Sequence, residues 1–412
     1  MTTTPHFNQD QLSLTACTST PVRGGRGWSC LLHLLAMPFV VMISMFLLAP
    51  GASGQMTQSE RLSWVGDSTT TPLALAHDLS AKLNKKDVAQ AMQKVGDWQL
   101  AKVRDGFNQD WTFATLYAGF MAVPDAANGR SYREAMLTMS KKFQWQPGPR
   151  LEHADDLAIS QTYLELSRTY HDPAMVAPTR ERIDAVMRIP DNVEKPLWWW
   201  CDALFMAPPV LAKLAQDTGE KKYLDFMDRE WWISSALLYS PADHLYFRDN
   251  SYFHAKEANG SRVFWSRGNG WVFAGLVRVL AEMPADYPSR PRYVAQFREM
   301  AEKIASLQGD DGLWRPGLLD EAAYKLPENS GSAFFAYGFA YGINSGILDR
   351  TRYMPVVERS WKGLLNHVYE DGRFGSIQPV GAAPGVFVPT SSYVFGTGAF
   401  LLAGSEVYQL AR

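Results

Sequence analysis

The sequence predicts an all-α protein folded as an (α/α)6 barrel, a closed ring of inner and outer helices. Apolar residues recur at helical spacing along almost the whole chain, and no Pro/Gly-rich stretch is long enough to be a linker. A helix–loop–helix unit recurs at a constant offset, and such units must stack to share a core. Aromatic residues make up 13% of the chain, which suits a lined cleft and favours the ring over an open helical solenoid, the alternative.

Residues 1–54 are expected to be a signal peptide with a long polar front. Arg23 and Arg26 precede an apolar run that is short for a membrane span, and small residues up to Gly54 mark a plausible cleavage point. Cleavage there leaves residues 55–412 as one domain, periplasmic or secreted, with no stable membrane association. An uncleaved membrane anchor is the alternative.

Composition and cysteine content exclude several classes of function. The chain has a formal net charge of −2 and lacks basic runs, which argues against nucleic acid as a partner. Cys17 and Cys30 lie in the leader, so Cys201 alone remains and no internal disulfide can form. No Cys/His cluster has metal-ligand spacing and no glycine loop suits a phosphate. We therefore expect no metal and no organic cofactor.

The repeated unit is clearest in the second half of the chain. Tyr293 begins a helix that is followed by Asp311-Gly312, and both features recur sixty residues later at Tyr353 and Asp371-Gly372. A looser third copy begins at Tyr223. Each copy is preceded by another apolar helix, so the unit is a helical hairpin.

About six hairpins fit the chain after the leader, with few strands, confined to short loop hairpins. The helices that the periodicity predicts, in chain order, cover 87–102, 111–123, 132–143, 156–170, 178–187, 203–214, 270–282, 293–307, 332–341 and 353–368.

Asp202 is the most unusual ionisable residue of the chain. It lies within the apolar aromatic segment WWWCDALFM, where an ionised carboxylate is costly to bury unless its pKa is displaced or it has a partner. Displaced carboxylates beside aromatic rings are typical of general acid/base chemistry on sugars. The alternative, equally open, is that Asp202 only caps the helix that begins at Ala203.

Other polar residues stand at the starts of predicted inner helices. Of Asp155 and Asp156, one is expected to be an N-cap, Asp155 being the natural choice, and the other could face the ring interior. Arg267 lies between Trp265 and Trp271; its planar fork suits a carboxylate, and the two indoles offer faces to a sugar ring. The alternative for Arg267 is a structural ion pair.

Three further residues are candidates with weaker signals. His244 and His254 fall in the loop before Phe264 and could reach a site, although a surface role is the simpler interpretation for each. Ser330, at the start of another inner helix, is expected to be a cap.

Several segments together carry a family resemblance. They are WWWCDALFMAPPVLAKLAQDTGEKKYLDFMDREWW, FWSRGNGWVFAGLVRVL, DDGLWRPGLLD, NSGSAFFAYG and YVFGTGAFLLAGSEVY, in this order. In this combination the chain resembles glycoside hydrolase family 105, the unsaturated rhamnogalacturonyl hydrolases, which are related to the unsaturated glucuronyl hydrolases. The resemblance extends from about residue 80 to Arg412.

The resemblance implies a catalytic (α/α)6 barrel and a specific reaction. The substrate is a lyase-generated oligosaccharide with a 4,5-unsaturated uronic acid at its non-reducing end. A carboxylic acid protonates C4 of the vinyl ether and then takes a proton from the water that adds at C5, so the usual pair of carboxylates that flanks a glycosidic bond is not required. The resulting hemiketal opens and releases the sugar.

The resemblance also implies roles for individual residues. Asp202 resembles the general acid/base, and Asp156 or its neighbour Asp155 resembles a second acid that places substrate and water. Arg267 and Trp271 resemble positions near the uronate carboxylate and the sugar ring.

One position departs from the family pattern. Several members carry an active-site histidine in the loop before the RGNGW motif, and here Arg248 stands in its place, with His244 or His254 as possible substitutes. The change could alter the sugar accepted at the neighbouring subsite.

More than one glycan substrate and more than one reaction class are compatible with the sequence. Rhamnogalacturonan fragments from pectin are the default, and unsaturated glucuronyl units of ulvan, heparin-like or arabinogalactan-type chains are the runner-up. A uronate lyase, a sugar epimerase or a non-catalytic carbohydrate-binding barrel would share the fold. The sequence gives no indication of oligomeric state.

Overall fold

The computed structural model describes residues 66–67, 73–190, 192 and 196–411, and this part of the chain is mainly α-helical. In chain order the helices are α1 (Lys85–Val103), α2 (Trp111–Ala122), α3 (Gly129–Lys142), α4 (Ala154–Leu157), α5 (Ser160–Tyr170), α6 (Ala177–Val186) and α7 (Ala203–Met206). They continue with α8 (Pro208–Thr218), α9 (Lys221–Leu238), α10 (Ser266–Glu282), α11 (Arg290–Ser306), α12 (Asn329–Asn344), α13 (Arg350–Leu365) and α14 (Val394–Leu410). The predicted signal peptide, residues 1–54, lies outside the described residues.

The helices form two concentric layers. Helices α2, α5, α8, α10, α12 and α14 pack against one another in that order, and α14 returns to contact α2, which closes the inner ring. The outer layer consists of α1, α3, α6, α9, α11 and α13. Nearly every residue of α10, α12 and α14 is buried, as expected for helices enclosed on all sides. The predicted (α/α)6 barrel is confirmed.

Glycines allow the ring to close tightly between α2 and α14. A Cβ atom on Gly119 would lie 2.7 Å from the carbonyl oxygen of Gly398, and one on Gly398 would clash with the carbonyl of Thr115. The two helices therefore meet backbone to backbone, which a larger side chain at either position would prevent.

Two predicted inner helices are broken. The prediction of one helix over 156–170 is wrong because α4 ends at Leu157 and α5 begins at Ser160. The prediction over 203–214 is wrong at Ala207, which lies between the end of α7 at Met206 and the start of α8 at Pro208. Proline lacks the N–H that would continue the ladder and is well suited to the first helical turn. Asp202 therefore precedes a helix of only four residues.

Strands are few, and one pair differs from the prediction. Strand β2 (Tyr239–Ser240) pairs with β3 (Leu245–Tyr246) in the expected short loop hairpin. Strand β1 (Gly66–Asp67) pairs antiparallel with β4 (Ser392–Tyr393), so strands are not confined to local hairpins. This pair joins the start of the described chain to the residues directly before α14.

The sixty-residue repeat corresponds to the outer helices and the turns that follow them. Tyr293 lies in α11 and Tyr353 in α13. Gly312 and Gly372 have φ angles of 84° and 97°, in the left-handed region that favours glycine. In the looser third copy His244 takes this place with a φ of 54°. His244 is therefore a turn residue at a position where the other two copies carry glycine.

Within the described residues, no helix combines the length and apolar character that crossing a membrane requires.

Candidate active site

An aromatic cluster closes the centre of the inner ring near the first turns of its helices. Trp271 lies 5.8 Å from Trp111, 5.0 Å from Phe205 and 4.4 Å from Phe334, measured between ring centroids, and Trp111 lies 5.6 Å from Phe395. Trp271 is fully buried in this cluster, which we call the aromatic floor. Its predicted contact with a sugar ring stays a prediction, since protein covers its faces here.

Asp202 lies in the turn before α7, and its side chain is only 13% exposed. It occupies the N-cap position, but its side chain makes no capping hydrogen bond to α7, so the capping alternative finds no support. Burial raises the pKa of this carboxyl group above its ordinary value, and the positive charge of Arg248 opposes the shift. A carboxyl group in this environment retains its proton to higher pH than an exposed one.

Arg248 is the cation beside Asp202. Its Nε atom lies 3.4 Å from Oδ2 of Asp202, and its Nη1 donates a hydrogen bond of 2.7 Å to Asp249. Its carbonyl oxygen accepts from the N–H of Cys201 at 2.8 Å, and its guanidinium lies 5.7 Å from the ring of Trp199. The residue that departs from the family pattern therefore contacts the segment that carries Asp202.

Asp155 is the second acid near Asp202. Burial raises its pKa to about 7, and the negative charge of Asp202 contributes to the shift. The expectation that Asp155 caps its helix is wrong. The cap of α4 is His153, whose ring nitrogen accepts from the N–H of Asp155 at 3.3 Å. The Asp155 carboxyl group is therefore not used as a cap, and its Oδ2 lies 3.7 Å from Nδ1 of His153.

The Asp156 carboxylate is paired with a neighbouring arginine. Nη2 of Arg150 donates to Oδ1 at 2.6 Å, and the backbone N–H of Arg150 donates to Oδ2 at 2.6 Å. Charge-assisted, bidentate pairs of this kind are strong and fix the carboxylate. The catalytic role predicted for Asp156 stays a prediction, and the geometry favours Asp155 as the acid that acts with Asp202.

Arg267 is fully buried, and protein acceptors surround its guanidinium. Nη1 donates to the carbonyl of Gln378 at 2.8 Å and Nη2 to that of Pro379 at 2.7 Å. Glu328 lies 3.5 Å from Nη1. This geometry matches the structural alternative for Arg267, while contact with a uronate carboxylate stays a prediction. Its positive charge still stabilises the ionised form of Asp202.

Glu328 and Trp265 complete the support of Arg267. The expectation that Ser330 caps α12 is wrong, because Glu328 is the N-cap and accepts from the N–H of Gly331 at 2.7 Å. The indole N–H of Trp265 donates to Gln378 at 3.1 Å, and the Arg267 guanidinium lies 4.2 Å from the indole ring. Trp265 is only 2% exposed, so its predicted stacking on sugar also stays a prediction.

Neither candidate histidine forms a hydrogen bond or an ion pair with Asp202. His244 is hydrogen-bonded to the Tyr239 hydroxyl at 3.1 Å and lies 3.6 Å from Glu299, in the β2–β3 turn. His254 is exposed, just after the short 3-10 turn Asn250–Tyr252. Among the residues that the structure describes, no group of three His, Cys, Asp or Glu side chains is arranged to hold a metal ion.

Sequence reasoning missed Tyr252, which lies close enough to Asp202 for the carboxylate charge to contribute to the raised pKa of its hydroxyl, after burial and Asp249. No motif singles out this tyrosine. Trp199 was visible as part of the triple-tryptophan run, but its 41% exposure was not.

The model of Glycosyl Hydrolase Family 88 matches residues 82–411. The chain belongs to this family. It is therefore an enzyme, a glycoside hydrolase, and the predicted resemblance to family 105 and the related unsaturated glucuronyl hydrolases is confirmed.

Individual relatives of this family 88 enzyme agree with the assignment. The chain is 39% identical over 347 residues to a protein of Formosa agariphila named unsaturated 3S-rhamnoglycuronyl hydrolase, covering 80% of this chain and 92% of the relative. A protein of the same name from Alteromonas sp. is 32% identical over 391 residues, covering 87% and 93%. A solved structure titled "Polysaccharide Lyase" superposes with a TM-score of 0.75 at 32% identity, covering 79% of this chain and 98% of that one.

Proposed function

We propose that the enzyme removes a 4,5-unsaturated uronic acid from the non-reducing end of lyase-generated oligosaccharides by hydrating its vinyl ether double bond. The observation that carries the proposal is the enclosed carboxyl group of Asp202, whose pKa burial raises. The reaction begins with proton donation to carbon, and a carboxyl group that keeps its proton to higher pH than an ordinary aspartate is suited to this step. The names of the relatives support the substrate class.

Asp202 acts twice in this mechanism. It first protonates C4, and positive charge develops at C5 and the ring oxygen. The resulting carboxylate then takes a proton from the water molecule that adds to C5, which restores the acid. Arg248, with its Nε 3.4 Å from Asp202, stabilises the carboxylate formed between the two steps.

Asp155 supports the reaction as a second acid of different strength. Its pKa of about 7 lies far above that of an ordinary aspartate because of burial and the nearby Asp202 charge. The negative charge of an ionised Asp202 disfavours ionisation of Asp155. We assign Asp155 to positioning the substrate and the water molecule.

The sugar that follows the uronate is proposed to be rhamnose. Two relatives with more than 30% identity carry rhamnoglycuronyl in their names, and rhamnose also follows the uronate in rhamnogalacturonan fragments. The family-typical histidine position is occupied by Arg248, so an anionic substituent on this sugar would meet a cation. A substrate panel therefore needs galacturonyl and glucuronyl forms, each with plain and sulfated rhamnose.

A uronate lyase is the second candidate, because one similar structure is titled "Polysaccharide Lyase". A lyase forms the unsaturated uronate, whereas the proposed hydrolase consumes it. The two reactions change the ultraviolet absorbance of the double bond in opposite directions, so one assay separates them.

Replacement of the proposed acid tests the mechanism. Asp202→Asn should fold normally and lose at least about a hundredfold in turnover, since an amide can neither donate nor recover the proton. Asp78→Asn, at a surface ion pair with Lys94, is the matched control and should retain full activity. A well-folded Asp202→Asn protein with near wild-type turnover would contradict the assignment.

We further propose that the enzyme is exported and that its leader is cleaved near Gly54. The observation behind this proposal is the charged front, apolar run and small-residue site of residues 1–54. N-terminal sequencing of the protein recovered from a bacterial host tests it. A mature start near residue 55 is expected, and an intact N-terminus in the membrane fraction would contradict it.

A further inference from the structure

The thiol of Cys201 is a hydrogen-bond donor directly beside the acid. Cys201 is fully buried and forms no disulfide, and its Sγ atom lies 3.7 Å from Oδ2 of Asp202 in a hydrogen bond that the sulfur donates. A thiol is a weak donor, but a hydrogen bond to an ionised acceptor is stronger than one between neutral groups. The acid therefore has a second polar neighbour in addition to Arg248.

The thiol and the arginine act on the same oxygen in different ways. The Nε of Arg248 lies 3.4 Å from Oδ2 of Asp202, but among the described residues this buried Nε has no hydrogen-bond partner. Its contact with Asp202 is therefore electrostatic, and a charge alone does not fix the plane of a carboxyl group. The directional contact with Oδ2 is the hydrogen bond from Cys201.

Packing holds the Cys201 sulfur in this position. The N–H of Cys201 donates to the carbonyl of Arg248 at 2.8 Å. On the other side, a Cβ atom on Gly268 of α10 would lie only 3.2 Å from the sulfur. The sulfur thus occupies the space that the missing side chain of Gly268 leaves, and a close-packed interior gives it little room to turn away from Asp202.

We propose that Cys201 is a positioning residue for the acid, whose thiol binds Oδ2 of Asp202 so that Oδ1 is the oxygen that gives its proton to C4. A proton is disfavoured on an oxygen that faces a cation and already accepts a hydrogen bond, so it resides on the other oxygen. The inference rests on the proposed function, since it concerns the acid of that reaction.

The thiol keeps its own proton through both steps of the reaction. When the Oδ1 proton has moved to C4, the carboxylate of Asp202 is ionised and its hydrogen bond from Cys201 becomes stronger. The water that adds at C5 then returns a proton to Oδ1. Burial and the Asp202 charge raise the pKa of the Cys201 thiol well above its usual range, so the thiol is not the group that loses a proton.

Two substitutions of Cys201 test this role through the pH dependence of kcat. Cys201→Ala removes the donor, which should raise the pKa of Asp202 and move the alkaline limb upward by about half a pH unit. Cys201→Ser provides a stronger donor of similar size, which should move the limb downward by about the same amount. Both should change KM little, because the buried side chain does not reach the substrate.

Ser140→Ala is the matched control. Ser140 is fully buried in α3, and its hydroxyl donates to the carbonyl of Met136 at 2.7 Å. This variant also loses a small buried polar group, so it should lower the melting temperature and leave the alkaline limb in place. A purely structural role for Cys201 would give the same result in both cysteine variants. An alkaline limb that does not move, or that moves the same way in both, would therefore overturn the inference.

The infrared S–H stretch of the full chain gives a readout that does not depend on turnover. Subtraction of the Cys201→Ser spectrum isolates the Cys201 band, because Cys17 and Cys30 contribute equally to both spectra. The band should move to lower frequency as Asp202 ionises, and Asp202→Asn should abolish this movement. A band that is independent of pH would overturn the inference alone. A well-folded Asp202→Asn enzyme with wild-type turnover would overturn the proposed function and this inference with it.

Discussion

At the residue scale the chemistry depends on two buried carboxyl groups with different surroundings. Asp202 has the Arg248 guanidinium 3.4 Å away, whereas Asp155 experiences the negative charge of Asp202. A nearby cation favours the ionised form of a carboxyl group and a nearby anion disfavours it. Burial raises the pKa of both groups, but Arg248 favours ionisation of Asp202 whereas the Asp202 charge disfavours ionisation of Asp155.

Removal of the Arg248 charge should change the pH dependence of turnover. Asp202 must begin protonated, so kcat falls as pH rises through its pKa. Arg248 lowers this pKa, and Arg248→Gln should move the alkaline limb of the kcat profile upward by about one pH unit. Arg248→Lys retains a charge and should move it less. An unchanged alkaline limb in Arg248→Gln would show that the Arg248 charge does not affect the pKa of the catalytic acid.

Asp155 should reduce stability at alkaline pH. Its folded pKa of about 7 lies above the ordinary 3.8. The contribution of Asp155 to the free energy of unfolding is therefore fully present below about pH 4 and is lost as pH rises through 7. Asp155→Asn should therefore raise the free energy of unfolding at pH 8 by at most about 4 kcal/mol, and have little effect at pH 4. Thermal denaturation at both pH values measures this difference.

Asp125 provides a control of opposite sign. A hydrogen bond from Arg133 lowers the pKa of this exposed carboxylate, so Asp125→Asn should not stabilise the protein at pH 8. If Asp155→Asn left the melting temperature at pH 8 unchanged or lower, the raised pKa would be contradicted.

The sequence identified some of these residues and misjudged others for physical reasons. Asp202 was visible because a lone acid in an aromatic segment is unusual. The choice between Asp155 and Asp156 depends on Arg150, whose pairing with Asp156 requires the folded loop. Arg267 was readable as an Arg in an aromatic setting, but its acceptors are carbonyls more than a hundred residues away.

At the element scale the break between α7 and α8 positions the acid. The side-chain amide of Gln161 donates to the carbonyl of Phe205 at 2.9 Å, and its oxygen accepts from Arg278 at 2.5 Å. These contacts satisfy a backbone carbonyl that the break leaves without a helical partner. Gly275 of α10 lies directly against the carbonyl of Leu204 in α7. Helix α7 is therefore held from two sides.

A methyl group at Gly275 should disturb the helix that carries Asp202. The added Cβ would clash with the Leu204 carbonyl, and overpacking of this kind typically costs about 1–3 kcal/mol. Gly275→Ala should lower the melting temperature and reduce kcat more than it changes KM. Gly381→Ala, where a Cβ meets only ordinary contacts, should do neither. A stable, fully active Gly275→Ala enzyme would show that α7 is not held by this contact.

Helix positions were largely predictable because most of the inner and outer helices carry clear apolar periodicity. The break at Ala207 could have been inferred from Pro208-Pro209, since paired prolines favour a helix start. The turn at His244 could not, because a non-glycine residue at positive φ has no reliable sequence signal.

At the scale of the whole molecule the closed ring defines how a substrate reaches the acids. The last helix, α14, contacts α2 and completes the inner layer, and the aromatic floor fills the centre of the ring. The site is therefore closed on one side, which suits the end of a chain better than its middle. The fold class followed from the repeat. The segment around Gln378 that encloses Arg267 could not be predicted, because backbone carbonyls form its hydrogen bonds with Arg267.

The most direct test of the account follows the ultraviolet absorbance of the unsaturated uronate during incubation with the enzyme. The substrates are lyase-generated uronyl-rhamnose oligosaccharides, and the matching intact polymers run in parallel. Absorbance should fall with the oligosaccharides, Asp202→Asn should abolish the fall, and the polymers should give no change. A rise in absorbance on intact polymer would identify a lyase and contradict the assignment of Asp202 to hydration of the double bond.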